Sequence, residues 1–157
     1  ADHLIYTFHL RHDVKWHDGF PFTADDVLYS YERVQDPKVD AAPARVDFRT
    51  LENLEKLDDY TVRFTFKEPD YKAVIFVGMM PIVPKHVFDD GHNFNSHPSG
   101  RSPIGTGPYR FVRWDTGRNI VFERNDAYWG ELPDIKKINA MCFFILIFLQ
   151  FFLMSLF

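Results

Sequence analysis

The sequence predicts an α+β fold built mainly from antiparallel strands with packed helices. Segments with the two-residue apolar period of strands outnumber segments with a helical period. The two kinds of segment also do not alternate regularly along the chain, as they would in a doubly wound parallel fold. With 157 residues, the chain is long enough for one modest hydrophobic core.

The first strand and the first helix have clear signals. Apolar side chains recur at every second position in residues 4–10, which is the pattern of a half-buried strand. Thr23 then stands at a helix N-cap position, and Asp26 follows three residues later as an approximate capping box. We expect an amphipathic helix that begins at Ala24 and ends near Asp36.

Four further elements follow from apolar spacing and turn residues. Residues 48–57 and 61–67 predict two strands joined by an acidic turn, and residues 109–114 and 119–124 predict a β-hairpin. The apolar run 71–80 predicts a short buried helix. Between the strand 61–67 and this helix lies only a short acidic breaker with a proline.

Residues 91–108 predict a long irregular loop. The segment carries four glycines and three prolines, which disfavour regular structure. Loops of this length often carry function, so candidate binding residues are sought here first.

Composition excludes several classes of partner and site. The net charge of -4 and the pI near 5.9 give no basic footprint, so we expect no nucleic-acid partner. Cys142 is the only cysteine, which excludes a disulfide framework and a cysteine metal site within the sequence. No signal-peptide pattern opens the sequence.

Three separated blocks resemble the family 5 extracellular solute-binding proteins, which are the dipeptide, oligopeptide and nickel receptors of bacteria. Residues 6–27 contain Tyr-Thr-Phe-His-Leu-Arg, Val-Lys-Trp-His-Asp-Gly and Phe-Thr-Ala-Asp-Asp-Val. Residues 82–86 read Ile-Val-Pro-Lys-His. Residues 103–130 contain Pro-Ile-Gly-Thr-Gly-Pro-Tyr, Glu-Arg-Asn-Asp and Tyr-Trp-Gly. The blocks stand in the order that is typical of the family.

The resemblance implies a two-lobed periplasmic or extracellular, membrane-associated receptor that closes on a peptide or similar small solute. It further implies a monomer that delivers this ligand to an ABC permease without a cofactor. Residues 1–140 correspond to part of the first lobe, and residues 141–157 form an apolar tail outside the family pattern. Because the second lobe lies outside this sequence, we expect the chain alone to bind peptides weakly or not at all.

Five residues are candidates for ligand contact. Arg101 offers a guanidinium for a peptide carboxylate, although an exposed loop arginine is the more common explanation of such a residue. Met79 and Met80 offer adaptable apolar surface, with core packing as the alternative. Gly105 and Thr106 lie in the Gly-Thr-Gly-Pro corner, which is either purely structural or in contact with the ligand.

The histidines invite a metal hypothesis, which their spacing does not support. His12, Asp13 and His17 do not have the four-residue spacing of a helical metal site. The loop pair His92 and His97 is the other candidate. We expect solvated or hydrogen-bonded surface histidines and no metal site.

Candidate catalytic side chains have no recognisable base-and-orienter setting, and none stands in a nucleophile elbow. We therefore predict that the protein is not an enzyme. The side chains considered are Ser99, Ser102, His86 and the acid pairs 25–26 and 89–90.

The tail has three possible origins. Residues 141–157 contain no charge, follow two lysines and lie at the short limit for a transmembrane helix. A frameshift or gene decay, a genuine membrane anchor and a buried helix each explain such a run. If the tail is an anchor, the alternative function is a truncated, membrane-tethered remnant or interaction module with no transport activity.

Overall fold

The computed structural model of the chain describes residues 4–141. Within that range the chain forms two three-stranded antiparallel sheets, so the α+β prediction is confirmed. The first sheet has the order β1-β3-β2, and the second has the order β4-β5-β6. The strands are β1 Ile5–His9, β2 Leu51–Asp58, β3 Thr61–Phe66, β4 Tyr109–Asp115, β5 Asn119–Arg124 and β6 Lys137–Met141.

Four α-helices and two 3₁₀ turns connect the strands. None of the helices in residues 4–141 is long and apolar enough to cross a membrane. The helices are α1 Ala24–Gln35, α2 Ala42–Asp47, α3 Ala73–Met79 and α4 Lys85–Phe88, and the 3₁₀ turns are Phe94–Ser96 and Pro98–Gly100.

The main core lies between the first sheet and the helices α1 and α3. On the central strand β3, Val62, Phe64 and Phe66 alternate into the core and are at most 2% exposed. The ring of Phe8 on β1 meets Phe64 edge to face, with ring centroids 5.6 Å apart. Helix α1 contributes Val27 to the same core. This alternation is the one that the strand predictions relied on.

Helix α1 begins at Ala24, as predicted. The backbone N–H of Thr23 donates to the Asp26 carboxylate at 2.9 Å, which is one half of the expected capping box. The helix ends at Gln35, and the next residue has an extended backbone.

Two elements were not predicted. Helix α2 has no buried residue, so it leaves no apolar period in the sequence. Strand β2 begins at Leu51, three residues later than expected, because the chain is still leaving α2 at Phe48. Strand β6 pairs antiparallel with β5 in a region that was assigned to no element.

The buried-helix prediction for residues 71–80 is only half correct. Helix α3 forms there, but it buries one face, which carries Ala73 and Val77. Val74 and Ile75 on the other face are 46% and 56% exposed. An apolar run therefore indicated a helix without indicating how many of its sides are covered.

The irregular loop and the apolar tail have different outcomes. The loop 91–108 is present, with the two 3₁₀ turns inside it. Met141, the first tail residue, ends β6 and pairs with Asn119. The remaining tail residues 142–157 lie outside the described residues, so the three explanations of the tail and the membrane-tethered alternative stay predictions.

Candidate functional site

His17 holds the Gly-Thr-Gly-Pro corner in place. Its backbone N–H donates to the Gly105 carbonyl at 2.9 Å. Its ring Nδ1 accepts from the Gly105 N–H at 3.2 Å, and its Nε2 lies 3.0 Å from the Gly107 carbonyl. Since Nδ1 accepts and a carbonyl cannot donate, the ring is neutral with its proton on Nε2. One imidazole therefore joins the first and third sequence blocks.

The fit around His17 explains a glycine at position 105. A Cβ at Gly105 would lie 3.4 Å from Cε1 of His17, which is close contact with a ring that is held by two hydrogen bonds. At Gly107 no atom lies within 4 Å of such a Cβ. Among the described residues, a neighbouring side chain therefore limits the size of residue 105 and not that of residue 107.

The other side of the corner is held from the end of the third block. The indole N–H of Trp129 donates to the Thr106 carbonyl at 3.1 Å. The Asn125 side-chain amide donates to the Gly107 carbonyl at 3.3 Å, and its backbone N–H donates to Pro108 at 2.8 Å. These contacts fix the loop backbone.

Two arginines near this loop differ in their partners. Arg11 lies over the Trp129 ring at 4.7 Å and pairs with Asp13 at 2.7 Å. The hydrogen bond to Asp13 raises the pKa of Arg11, and the same bond lowers the pKa of the Asp13 carboxyl. Arg101 lies over the Trp114 ring at 5.0 Å, and no carboxylate in residues 4–141 lies within ion-pair distance of it. Its charge is therefore available to an anionic group.

The two candidate methionines, Met79 and Met80, differ in burial. Met80 is 7% exposed and belongs to the main core, which is the core-packing alternative. Met79 is 74% exposed at the end of α3. The hydrogen bonds that hold Gly105 and Thr106 involve neither methionine.

Asp26 is a second junction, and sequence reasoning identified only its capping role. The carboxylate is buried, with the residue 4% exposed. Its Oδ2 accepts from the Thr23 N–H at 2.9 Å and from the Trp16 indole at 3.2 Å, while Oδ1 accepts from the Lys85 N–H at 2.9 Å. Asp26 thus joins the first and second blocks. Lys85 lies 59 positions after Asp26 in the sequence, so no local sequence pattern predicts that contact.

The first histidine group considered for metal binding does not converge. His12 stacks on Tyr60 with ring centroids 4.1 Å apart. Asp13 forms an ion pair with an arginine, and the His17 ring is hydrogen-bonded to the Gly-Thr-Gly-Pro corner. Each of the three side chains has a partner of its own.

The second histidine group does converge, together with a residue that was not considered as a ligand. His92 and His97 both contact Asp90, and one ligand atom from each of the three residues lies within 4.8 Å of the others. The expectation of surface histidines is wrong for His97, which is 8% exposed.

The candidate catalytic residues serve other contacts. His86 pairs with Asp18 at 2.7 Å and stacks on Phe20 at 4.2 Å. Ser99 uses its backbone N–H, not its hydroxyl, to bond to His97. Within residues 4–141 no serine hydroxyl hydrogen-bonds to a histidine.

Comparisons with known proteins agree with the three blocks. The family model described as "Bacterial extracellular solute-binding proteins, family 5 Middle" matches residues 1–143. Protein XP55 of Streptomyces lividans is 38% identical over 88% of this chain and 25% of its own length. The periplasmic oligopeptide-binding protein OppA of Salmonella typhimurium is 31% identical over 85% of this chain and 28% of its own length.

A comparison with a solved structure shows that the similarity includes the fold. The crystal structure of NikZ from Campylobacter jejuni in complex with Ni(L-His) superposes with a TM-score of 0.82 at 32% identity. The superposition covers 90% of this chain and 28% of NikZ. The chain therefore covers only 21–28% of the length of such relatives. It belongs to family 5 of the bacterial extracellular solute-binding proteins, which are binding proteins and not enzymes.

Proposed function

We propose that this chain is part of the first lobe of a receptor that captures a peptide or similar small solute outside the cytoplasmic membrane. The receptor delivers that ligand to an ABC permease and acts as a monomer. Residues 1–140 form the lobe portion, and residues 141–157 are the apolar tail, which the family match enters only as far as residue 143. The family match over residues 1–143 carries the proposal, and it is supported by an oligopeptide-binding protein among the relatives.

Arg101 is the residue that we assign to ligand recognition. A peptide ends in a carboxylate, and a guanidinium binds a carboxylate through two parallel hydrogen bonds. Stacking on Trp114 orients the guanidinium plane without occupying its N–H donors. Unlike Arg11, Arg101 has no acidic partner among the described residues.

The loop backbone supports this role because it is already fixed. Hydrogen bonds from His17 and Trp129 hold Gly105 and Thr106, so less conformational entropy is lost when a ligand binds beside them. We propose that Gly105 and Thr106 contact the ligand, with exposed Met79 as apolar surface. The rest of the binding site belongs to parts of a longer protein, so the chain alone binds weakly.

The indole N–H signals of the tryptophans provide a test of this assignment. Tri- and tetrapeptides are titrated into the ¹⁵N-labelled chain, where binding with a dissociation constant on the order of 1 mM is still detected. We expect the signals of Trp114 and Trp129 to move. Trp16 is 4% exposed and bonded to Asp26, so its signal is an internal control that stays in place.

Two comparisons make the test specific to the proposed role. Arg101→Gln should abolish the shifts, whereas Arg118→Gln, which changes an exposed arginine on the β4–β5 turn, should leave them unchanged. Peptides with an amidated C-terminus should bind less well than free acids. Equal shifts with amidated peptides would refute the role of Arg101, and no shift with any peptide would mean that these residues alone do not bind detectably and that the same comparison is to be made on the longer protein.

A further inference from the structure

Asp90, His92 and His97 bring three metal-ligating atoms to one point. Oδ2 of Asp90 lies 2.9 Å from Nδ1 of His92 and 3.1 Å from Nε2 of His97. Among the described residues, this is the one group of three such side chains whose ligand atoms converge. The other oxygen of Asp90 accepts from the His92 backbone N–H at 3.0 Å, which fixes the carboxylate orientation.

The group combines one rigid ligand with two accessible ones. The His97 side chain is 5% exposed, and its ring packs against Phe88 with centroids 4.6 Å apart. Phe94 supports Phe88 from the other side at 5.2 Å. The side chains of His92 and Asp90 are 66% and 40% exposed, so an ion can reach the group from solvent.

The spacing suits a divalent transition metal. Ligand atoms about 2.0–2.1 Å from zinc lie roughly 3.3 Å apart in a tetrahedron and roughly 3.0 Å apart in an octahedron. The two distances from Asp90 are already close to these values. Two imidazoles and one carboxylate are ligands that zinc, nickel and copper accept, and open positions are left for water.

We propose that Asp90, His92 and His97 bind a divalent transition-metal ion of the zinc type at an accessory site that peptide capture does not require. The three residues cross-link the chain just after α4 to the first residue beyond the 3₁₀ turn Phe94–Ser96. A bound ion therefore stabilises the first part of the 91–108 loop. Ion binding and peptide binding are separate properties in this proposal.

Metal binding replaces the two hydrogen bonds between Asp90 and the histidine rings, and it also gives up one hydrogen bond to a residue that is not a ligand. Nδ1 of His97 accepts from the Ser99 N–H at 3.2 Å, so without an ion the ring carries its proton on Nε2. Coordination through Nε2 moves this proton to Nδ1, which then faces the Ser99 N–H. The amide signal of Ser99 should therefore respond to the ion although Ser99 is not a ligand.

Titration with ZnCl₂ and CoCl₂ tests the site on the untagged full chain. All proteins carry His3→Ala, so that this additional imidazole does not contribute. We expect saturable Zn²⁺ heat in calorimetry, visible Co²⁺ absorption and a shift of the Ser99 amide. His92→Ala, at an exposed position, should weaken binding at least about tenfold, and Asp90→Asn should do the same.

A matched control separates this site from ordinary histidine–carboxylate pairs. His86 contacts Asp18 at 2.7 Å in a group of only two, so His86→Gln should leave Zn²⁺ affinity unchanged. Absence of Zn²⁺ binding, equal binding by His92→Ala, or an equal loss in His86→Gln would each overturn the proposal. Peptide-induced indole shifts should persist in His92→Ala, so failure of this site is distinguishable from failure of the receptor function.

Discussion

Two side chains, Asp26 and His17, join the sequence blocks of this lobe, and they do so by different means. Asp26 is a buried charge that accepts three N–H groups. His17 is a neutral ring at a partly buried position, where it accepts one N–H and donates to one carbonyl. The first junction lies next to the core, and the second lies under the proposed binding loop.

This difference in burial determines how well water can replace the hydrogen bonds that a substitution removes. If Asp26 is removed, the Trp16 indole N–H remains buried, and the Thr23 and Lys85 N–H groups remain at partly buried positions, so water replaces the lost bonds only in part. If His17 is removed, water can reach Gly105 and Gly107, which are only partly buried. The core junction therefore controls folding, and the loop junction controls the order of the proposed site.

Asp26→Ala is the change with the largest expected effect. It leaves one buried and two partly buried N–H donors without their acceptor, which should lower the free energy of unfolding by about 3–5 kcal/mol. The measurement is urea denaturation of the full chain followed by tryptophan fluorescence.

Asp25→Ala is the matched control for that change. Asp25 is the preceding helix residue, but its side chain is 55% exposed and contacts only a lysine at 3.0 Å. Its loss should cost no more than about 1 kcal/mol. Similar unfolding free energies for both variants would show that Asp26 is no more than a helix cap.

His17→Ala should have a smaller global effect and a larger local one. Two side-chain hydrogen bonds are lost at a partly buried site, which corresponds to about 1–2 kcal/mol. Hydrogen exchange at the Gly105 amide should become much faster. His12→Ala changes a stacked histidine in the same block and should cost about 0.5 kcal/mol or less without affecting Gly105. Unchanged exchange at Gly105 in His17→Ala would contradict the role of His17.

Local elements were predictable from the sequence because their signals are local. The alternation in β1 and β3 and the Thr23-Asp26 cap of α1 gave the first sheet and its helix nearly to the residue. Helix α2 buries no residue and therefore left no period to detect. A periodic pattern reports burial more directly than it reports backbone conformation.

Contacts between the blocks were not predictable in the same way. The Lys85 N–H that meets Asp26, and the Gly105 and Gly107 groups that meet His17, are backbone atoms, which carry no side-chain signature. Of the proposed site, the loop and Arg101 were named from the sequence, whereas Trp114 beneath the guanidinium was not. The contact between Arg101 and Trp114 depends on where the β4–β5 hairpin lies relative to the loop, which no sequence pattern predicts.

The two motif glycines offer a finer comparison within the loop junction. Gly105→Ala brings a Cβ to 3.4 Å from the His17 ring, so we expect a loss of roughly 1 kcal/mol and a weaker His17 contact. Gly107→Ala meets no atom within 4 Å and should be neutral or stabilising by up to about 1 kcal/mol. Thermal unfolding of both variants gives the order, and a larger loss for Gly107→Ala would contradict the close fit at Gly105.

Asp90 extends the comparison to an exposed carboxylate. Like Asp26, it accepts three N–H groups, here from the backbone and ring of His92 and from His97. These bonds lower the pKa of Asp90 to about 2, and the hydrogen bond from the His92 backbone N–H is the largest cause. A depressed native pKa stabilises the folded state above the unfolded value near 3.9. That contribution is lost as the pH falls from about 4 through 2.

A ¹³C titration of the Asp90 carboxyl carbon tests this assignment and gives the smallest effect. Wild type should titrate near 2, and His92→Ala should remain well below the ordinary range because it keeps the backbone N–H that contributes most. Since solvent surrounds Asp90, Asp90→Asn should change stability above pH 5 far less than Asp26→Ala does. A return of the pKa to the ordinary range in His92→Ala would mean that the His92 imidazole, and not the His92 backbone N–H, is the main cause of the low pKa of Asp90. Exposure would then still separate Asp90 from Asp26, because water can replace a lost imidazole N–H at one site and not at the other.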